Sequence, residues 1–434
     1  MPMIDRSIAP DIQPLLSVPL AEPKLEILEN GIPFYEFSNS ELELIHIQLD
    51  IRSGAVYEPK KHLSLFTYSL LKGSHPKHHA SEIADLLDFY GSAFDAEVYI
   101  DSVCLKMVVP KRNMPNVLPL IFEMISAPKY REEYFNIIRQ QRIQSLRNNL
   151  KKNSFLASRH MLHAMLGDQC AAGQFSSEES FEAVSISDLE QYHRENFCAE
   201  NITLYCTGLL DEQTLDLIRQ TFGKIKHGQP TPAMPLFKMP TDPSPILNIE
   251  IPGSVQSSIC LAMPHQGYAD VLSSPFKVLS TISGGYFGSR LMQCVREKLG
   301  YTYGIGNSFI FLGNQSIFAI QSDVDASHTQ EAIDACFSEL ERLKNEPVSE
   351  EELETVKTYI TGTLIQEIST SVSYMSKFAF WKKNGTDPIM VQKMLEFMQH
   401  IQSEDIMKEA KKYFSYNNFT QIIVGIKLDH HRNA

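Results

Sequence analysis

An arginine and a tyrosine in the second half of the chain have the types and spacing to do chemistry together. Arg296 and Tyr303 lie seven residues apart, with Gly300 between them. The pattern predicts a helix that carries Arg296 and ends near Gly300, followed by a strand that presents Tyr303. If both side chains face one cleft, they can donate hydrogen bonds to a peptide carbonyl. The residues alone leave an alternative, which is an ordinary surface arginine and a packed tyrosine.

Histidines could form a metal site, but their spacing matches no ligand motif. His75, His78 and His79 lie close together, and His160 and His163 are three residues apart. Neither group makes HxxEH or HExxH. We interpret the first group as an exposed loop and the second as a structural pair on a helix.

Motifs for nucleophilic catalysis and phosphate binding are also missing. The sequence contains no GxSxG, and its seven cysteines are scattered without a CxxC pair. The glycine-rich stretch 283–288, Ser-Gly-Gly-Tyr-Phe-Gly, lacks the Lys-Ser/Thr of a P-loop. We interpret this stretch as a tight turn.

The composition limits the partners and the compartment. The formal net charge is −13, and phosphate binding needs a concentrated basic surface, so a nucleic-acid partner is not expected. The N-terminal residues do not form a signal-peptide pattern, and no apolar run is long enough to span a bilayer. With scattered, reduced cysteines, these features predict a soluble cytoplasmic protein without a membrane partner.

Two copies of one pattern of elements position the candidate residues. Residues 45–51 alternate as a strand, and farther along a helix stops before Pro128 and a long helix follows. In the second copy residues 247–251 alternate, and a helix stops before Pro347. The two prolines lie about half the chain length apart, which indicates an internal duplication.

The chain length and the proline distribution suggest the domain limits. A chain of 434 residues exceeds what one core usually supports, and residues 227–245 hold six prolines. We predict an extended N-terminal arm over 1–24, an N-terminal domain over 25–226, a linker over 227–245 and a C-terminal domain over 246–434. The second long helix is expected to begin at a capping box, Ser349 to Glu352. The succession of strands and helices favours an α+β architecture.

Residues 284–304 resemble the C-terminal domain of the pitrilysin/insulinase-type zinc peptidase family, which includes the mitochondrial processing peptidases. Arg296 and Tyr303 fall on the family's Arg–Tyr pair, which holds the substrate near the zinc. Further markers follow in the family's order along nearly the whole chain, namely Ser53-Gly54, Leu71-Lys72-Gly73, Ala80-Ser81-Glu82, Tyr90-Gly91 and the Pro-Val-Ser-Glu-Glu stretch from Pro347. The resemblance implies two homologous α/β-roll domains, each with helices on an antiparallel-rich sheet, that enclose a peptide chamber.

The family's inverted zinc motif, HxxEH, is absent from this sequence. Counting back from Lys72-Gly73 places five other residues on it, namely Ser64, Leu65, Phe66, Thr67 and Tyr68. The family's downstream glutamate ligand aligns with Ser145. A catalytic zinc site needs three protein ligands and a general base. The resemblance therefore implies a member without a zinc site, and we interpret 64–68 as a buried helix segment.

These departures predict a non-catalytic subunit of a two-chain zinc peptidase. In some two-chain relatives one chain brings the zinc and the other brings the Arg–Tyr pair. We expect Arg296 and Tyr303 to bind substrate, and we expect no catalytic residue, metal or cofactor in this chain and no peptidase activity from it alone. The expected partners are an extended peptide and a zinc-bearing homologous chain in a heterodimer. The alternatives are a homodimer that binds peptide or acts as a scaffold without a protease partner, and an independent hydrolase with unfamiliar ligands.

Overall fold

Two mixed β-sheets with helices packed on them organise the chain, which confirms the α+β class. The computed structural model describes residues 20–39, 41–240 and 245–428. The strands are β1 Lys24–Ile27, β2 Pro33–Ser38, β3 Leu44–Ile51, β4 Ala93–Val98, β5 Val103–Pro110, β6 Ile202–Gly208, β7 Ile246–Glu250, β8 Gln256–Gln266, β9 Thr302–Leu312, β10 Gln315–Asp325 and β11 Thr420–Gly425.

Helices connect the strands in both halves. The α-helices are α1 Leu63–Ser69, α2 Ala80–Phe89, α3 Met114–Ser126, α4 Glu132–Asn149, α5 Asn153–Leu166, α6 Glu178–Glu182, α7 Ile186–Asn196, α8 Glu212–Phe222, α9 Tyr268–Leu272, α10 Phe276–Ser280, α11 Thr329–Asn345, α12 Glu350–Glu367, α13 Ser371–Lys383, α14 Pro388–His400 and α15 Ser403–Tyr413. Two further segments, Thr281–Gly285 and Met292–Lys298, are π-helical. Within the described ranges, none of the helices combines the length and the apolar character that crossing a membrane would require.

The two sheets share one strand order. The first runs β1-β2-β6-β3-β5-β4 and the second runs β7-β11-β8-β10-β9. Apart from β1, each strand of the first sheet has a counterpart in the second. The parallel pair also recurs, as β2 with β6 and as β7 with β11. This shared order supports the duplication that the sequence pattern indicates.

Each half places one helix on the sheet of the other half. Helix α5 follows the long helix of the first half but packs on β8 and β11 of the second sheet. Its residue Met161 belongs to one buried cluster with Ala262 of β8. The counterpart helix α13 packs on β2 and β6, where the ring of Phe378 lies 5.1 Å from that of Tyr35 and 5.3 Å from that of Phe37. Because the exchange is reciprocal, each sheet buries one of its faces only when the other half is present.

Residues 227–240, which lie between the halves, have no regular secondary structure but are held to both halves. Phe237 is buried, and its backbone N–H and C=O bond to the side chain of Gln315 at 2.7 and 3.0 Å. Thr231 is also buried, and its N–H donates to the side chain of Asn201 at 2.7 Å. The domain limits predicted above stay a prediction, and most of the predicted N-terminal arm, residues 1–19, lies outside the described residues.

Candidate functional site

The segment that carries Arg296 is a π-helix rather than the ordinary helix that the sequence pattern predicts. It spans Met292–Lys298, and the N–H of Leu299 bonds to the carbonyl of Cys294 at 3.0 Å, five residues back. It ends at Gly300, whose φ of 67° is one that residues with a Cβ rarely adopt. Single π turns are rare and often mark functional sites, and a second one, Thr281–Gly285, precedes this one closely.

An arginine–glutamate pair fastens this region to the long helix α12. The guanidinium of Arg290 donates two hydrogen bonds to the carboxylate of Glu352, at 2.9 and 2.8 Å. The same pairing explains why the predicted capping box is only half formed. Ser349 accepts the N–H of Glu352 at 3.2 Å, but the Glu352 carboxylate is bound to Arg290 and is not available to the Ser349 backbone.

The structure brings Arg296 and Tyr303 together. The guanidinium carbon of Arg296 lies 5.3 Å from the centre of the Tyr303 ring and 4.7 Å from the centre of the Phe287 ring. Both distances are in the range of cation–π contacts. Tyr303 is 91% exposed and Phe287 is 65% exposed. Arg296 therefore lies against two rings that are open to solvent.

The polar groups of this pair are free to bind a ligand. Among the described residues, neither the Arg296 guanidinium nor the Tyr303 hydroxyl makes a hydrogen bond or an ion pair. The guanidinium offers five N–H donors and the phenol offers one, and both suit a carbonyl or a carboxylate oxygen. Sequence reasoning found these two residues but missed Phe287, which it assigned to a simple glycine-rich turn.

The positions aligned with the missing zinc motif lie on α1, in the core of the first half. Ser64, Phe66, Thr67 and Tyr68 are fully buried, which confirms the interpretation of a buried helix segment. The Phe66 ring packs edge-on against Phe135 of α4 at 5.3 Å. Hydroxyl and apolar side chains do not supply the imidazole and carboxylate ligands that zinc takes. These residues therefore do not fit a metal.

The remaining candidate ligands do not come together either. Ser145 is exposed on α4, whereas Ser64, Thr67 and Tyr68 are buried. Over the described part of the chain, no three side chains of histidine, cysteine, aspartate or glutamate are grouped as they would be to hold a metal ion. The donor types at the described positions thus do not fit the zinc site that the resemblance would place there.

A carboxyl group fixes the start of α1. Glu58 accepts the backbone N–H groups of His62 and Ser64 at 2.9 and 2.7 Å. Burial raises the pKa of Glu58 to about 7, while these two N–H groups act in the opposite direction. His62 has a φ of 74°, and its ring stacks on Phe181 at 3.8 Å, so packing holds a strained residue at this helix start.

The histidine groups have structural roles. His75 is buried, which corrects the interpretation of an exposed loop, because its Nδ1 accepts the N–H groups of Lys77 and His78 at 3.1 and 3.2 Å. On α5, the ring of His163 lies 4.4 Å from Phe175, and its Nδ1 is 3.0 Å from the carbonyl oxygen of Gly173. Both histidines hold local backbone in place.

Comparisons with known proteins show which sequences this chain is similar to. Residues 183–360 match the family model of the peptidase M16 inactive domain. An uncharacterised zinc protease of Rickettsia bellii is 21% identical over 409 residues, which cover 92% of this chain and 96% of that protein. An uncharacterised zinc protease of Streptomyces coelicolor is 19% identical over 366 residues, which cover 82% and 79%.

Solved structures show the same fold. A peptidase M16 inactive domain from Pseudomonas fluorescens matches with a TM-score of 0.84 at 19% identity, over 95% of this chain and 100% of that one. A protease from Helicobacter pylori matches with a TM-score of 0.80 at 16% identity, over 93% and 100%. At these identities the matches establish a shared architecture over nearly the whole chain.

Proposed function

We infer that this chain, which belongs to the M16 (pitrilysin/insulinase-type) peptidase family, is a non-catalytic subunit that binds extended peptide for a zinc-bearing partner chain. The observation that carries the proposal is the contrast between its two halves. Arg296 and Tyr303 lie together with donors that have no partner among the described residues, whereas the zinc-motif positions on α1 hold buried side chains of types that do not ligate zinc.

The surroundings of Arg296 make its availability informative. Arg147, Arg219, Arg290 and Arg342 pair with carboxylates, whereas Arg112 and Arg296 have no ion pair among the described residues. Arg296 differs from Arg112 because it lies against the exposed rings of Phe287 and Tyr303. An arginine that instead rests on two aromatic rings keeps its permanent charge and its donors for a ligand.

The proposed task is to hold a peptide carbonyl while it reacts. Hydrogen bonds from Arg296 and Tyr303 strengthen as the carbonyl oxygen gains negative charge, so they favour the transition state over the bound substrate. The attacking water would be activated by the zinc of the partner chain. This chain would contribute orientation and charge stabilisation only.

The experiment starts from the full-length, tagged chain purified from its native host. Mass spectrometry of the co-purified material should identify a homologous chain that contains HxxEH. With that pair and an unstructured fluorogenic peptide, Arg296→Ala and Tyr303→Phe should each lower kcat by about 10²–10³ and weaken peptide binding by a smaller factor, since the lost donors act most strongly in the transition state.

The matched control is Arg112→Ala. Arg112 is exposed and, among the described residues, makes no ion pair, so its loss should leave kcat unchanged. Arg342 is less suitable, because it bonds to both Glu339 and Glu346. Normal hydrolysis by both site variants would contradict the proposal and favour the homomeric peptide-binding or scaffolding alternative. If no partner is captured, peptide binding to the single chain is measured, and insensitivity to Arg296→Ala would likewise contradict the proposal.

A further inference from the structure

Phe287 is a third member of the Arg296–Tyr303 site, and no role follows for it from the sequence pattern. One face of its ring contacts the Arg296 guanidinium at 4.7 Å, and 65% of the side chain is exposed. Single exposed aromatic residues are ordinary on protein surfaces. Here, however, two exposed rings contact the same arginine, and this arginine has no carboxylate partner among the described residues. We therefore treat Phe287 as part of the Arg296–Tyr303 site rather than as an isolated exposed residue.

The neighbours of Phe287 hold its ring at the surface. Tyr286 packs on Tyr359 with ring centres 5.1 Å apart. A Cβ on Gly288 would come within 2.8 Å of the Tyr286 ring, so a larger residue there would require that ring to shift. The N–H of the buried Ser289 then bonds to the Tyr286 carbonyl at 3.1 Å. The residues on both sides of Phe287 are therefore held by packing and by a hydrogen bond, and the side chain of Phe287 itself is exposed.

The chemistry of the site suits a particular type of peptide segment. The Arg296 donors can hold a backbone carbonyl, and the free face of Phe287 beside them can cover an apolar side chain. We propose that Phe287 is a specificity residue, which selects extended peptides with a large apolar or aromatic side chain next to the carbonyl bound by Arg296. This proposal rests on the peptide-binding function proposed above.

A peptide fits this surface better than a docked protein does. The exposed apolar side chains of the site are those of Phe287, Leu299 and Tyr303. Stable protein–protein interfaces cover about 800 Å² on each partner, which is far more than three side chains expose. Three side chains are enough to contact one or two residues of an extended peptide.

Fluorescence anisotropy of the full-length chain with four labelled peptides tests the proposal. The peptides are unstructured Gly/Thr-based decapeptides that differ at one central residue, which is Phe, Leu, Ser or Asp. We expect the Phe and Leu peptides to bind about 10-fold more tightly than the Ser peptide. Phe287→Ala should lower the affinity for the Phe and Leu peptides to that for the Ser peptide. Phe287→Tyr should keep the tighter binding of the Phe and Leu peptides. Phe89→Ala, which removes an 81% exposed phenylalanine in the first half, is the matched control and should change nothing.

The outcomes separate this proposal from the one on which it rests. If Phe287→Ala keeps the preference while Arg296→Ala weakens all four peptides, the specificity role is wrong and the peptide-binding function stands. If Phe287→Ala weakens all four equally, Phe287 merely orients Arg296, and the specificity role is again wrong. If no peptide binds, or Arg296→Ala has no effect, both proposals fail. Should Phe287→Ala unfold, Phe287→Ser is measured in its place, with the same expected loss of preference.

Discussion

A single carboxyl at the start of α1 has a consequence for the pH dependence of stability. Burial raises the pKa of Glu58 from 4.5 to about 7, so between these pH values the folded chain holds a proton that the unfolded chain has released. The contribution of Glu58 to the free energy of unfolding is therefore fully present below about pH 4.5 and falls as the pH rises to 7. The total change is up to about 3 kcal/mol.

Urea unfolding of the native chain and of Glu58→Gln at several pH values measures this contribution. The stability advantage of the native chain over Glu58→Gln should shrink between pH 4.5 and 7, then stay constant. Comparison with the variant matters because burial lowers the pKa of His62 to about 3, and a histidine that is neutral when folded has the opposite pH dependence. Parallel curves for the two proteins would contradict the assignment.

The side chains on α1 also predict the metal content of the purified chain. Ser64, Thr67 and Tyr68 supply hydroxyls inside a packed core, and among the described residues no three histidine, cysteine or carboxylate side chains are grouped to hold a metal ion. Elemental analysis of the full-length chain alone should therefore give no stoichiometric zinc, and the chain should not cleave an unstructured peptide. One zinc per chain that survives dialysis, together with cleavage that a chelator abolishes, would overturn this prediction.

At the residue scale, the sequence indicated which residue types could form a site, but it did not indicate which side chains are exposed or buried. The Arg296–Tyr303 pair and the replaced zinc-motif residues could be named from the sequence, because the resemblance to the family indicates which positions to compare and the residue types there can be read directly. Phe287 could not, because a glycine-rich stretch indicates a turn without indicating which side chain the turn exposes. His75 lies in a polar loop and yet is buried, because two backbone N–H groups bond to its ring.

At the scale of elements, the Arg290–Glu352 pair should matter more than other ion pairs of the chain. The side chains are 13% and 26% exposed, and the pair joins the region of the π segments to α12. Arg290→Met leaves the Glu352 carboxylate without its two donors and should cost about 2 kcal/mol of unfolding free energy.

The control for this prediction is Arg147→Met, which breaks a pair whose side chains are 53% and 38% exposed. Solvent already weakens such pairs, so the cost should be about 0.5 kcal/mol. Chemical denaturation of both variants gives the comparison. Equal costs would mean that the Arg290–Glu352 pair has no special part in holding the site region together.

Element positions could be predicted well, and element types less well. The long helices after Pro128 and Pro347 occur as α4 and α12, since proline marks the break before each, and Ser349 caps the start of α12. The π form of Met292–Lys298 was not visible in the sequence. The periodicity of a short segment does not distinguish a π turn from an α turn, and the choice is made by packing against β9 and α11.

At the scale of the whole molecule, the reciprocal placement of α5 and α13 makes the halves interdependent. Fragments 1–226 and 246–434, expressed separately, should not fold to stable domains, because each leaves one sheet face uncovered. Co-expressed, they should associate, since the missing helix is supplied by the other fragment. Circular dichroism, thermal unfolding and co-purification test this. Cooperative unfolding of each isolated fragment as a soluble monomer would contradict it.

The duplication was visible in the sequence, but the exchange of helices was not. Ala157, Met161 and Met165 mark the apolar side of α5, and such a stripe predicts that the helix covers a sheet. It does not tell which of two similar sheets is covered. Because the halves share one pattern, both sheets offer comparable apolar faces, and only the three-dimensional arrangement decides between them.

The interlocked helices also bear on how genes for such a chain can be arranged. A cut between the halves, made after folding, would leave two pieces that still complete each other's cores. The linker would keep the two halves at a high effective concentration during folding, and afterwards its buried Phe237 and Thr231 would still contact the folded halves. A cell could therefore encode this protein as one reading frame or as two, and the assembled particle would be the same.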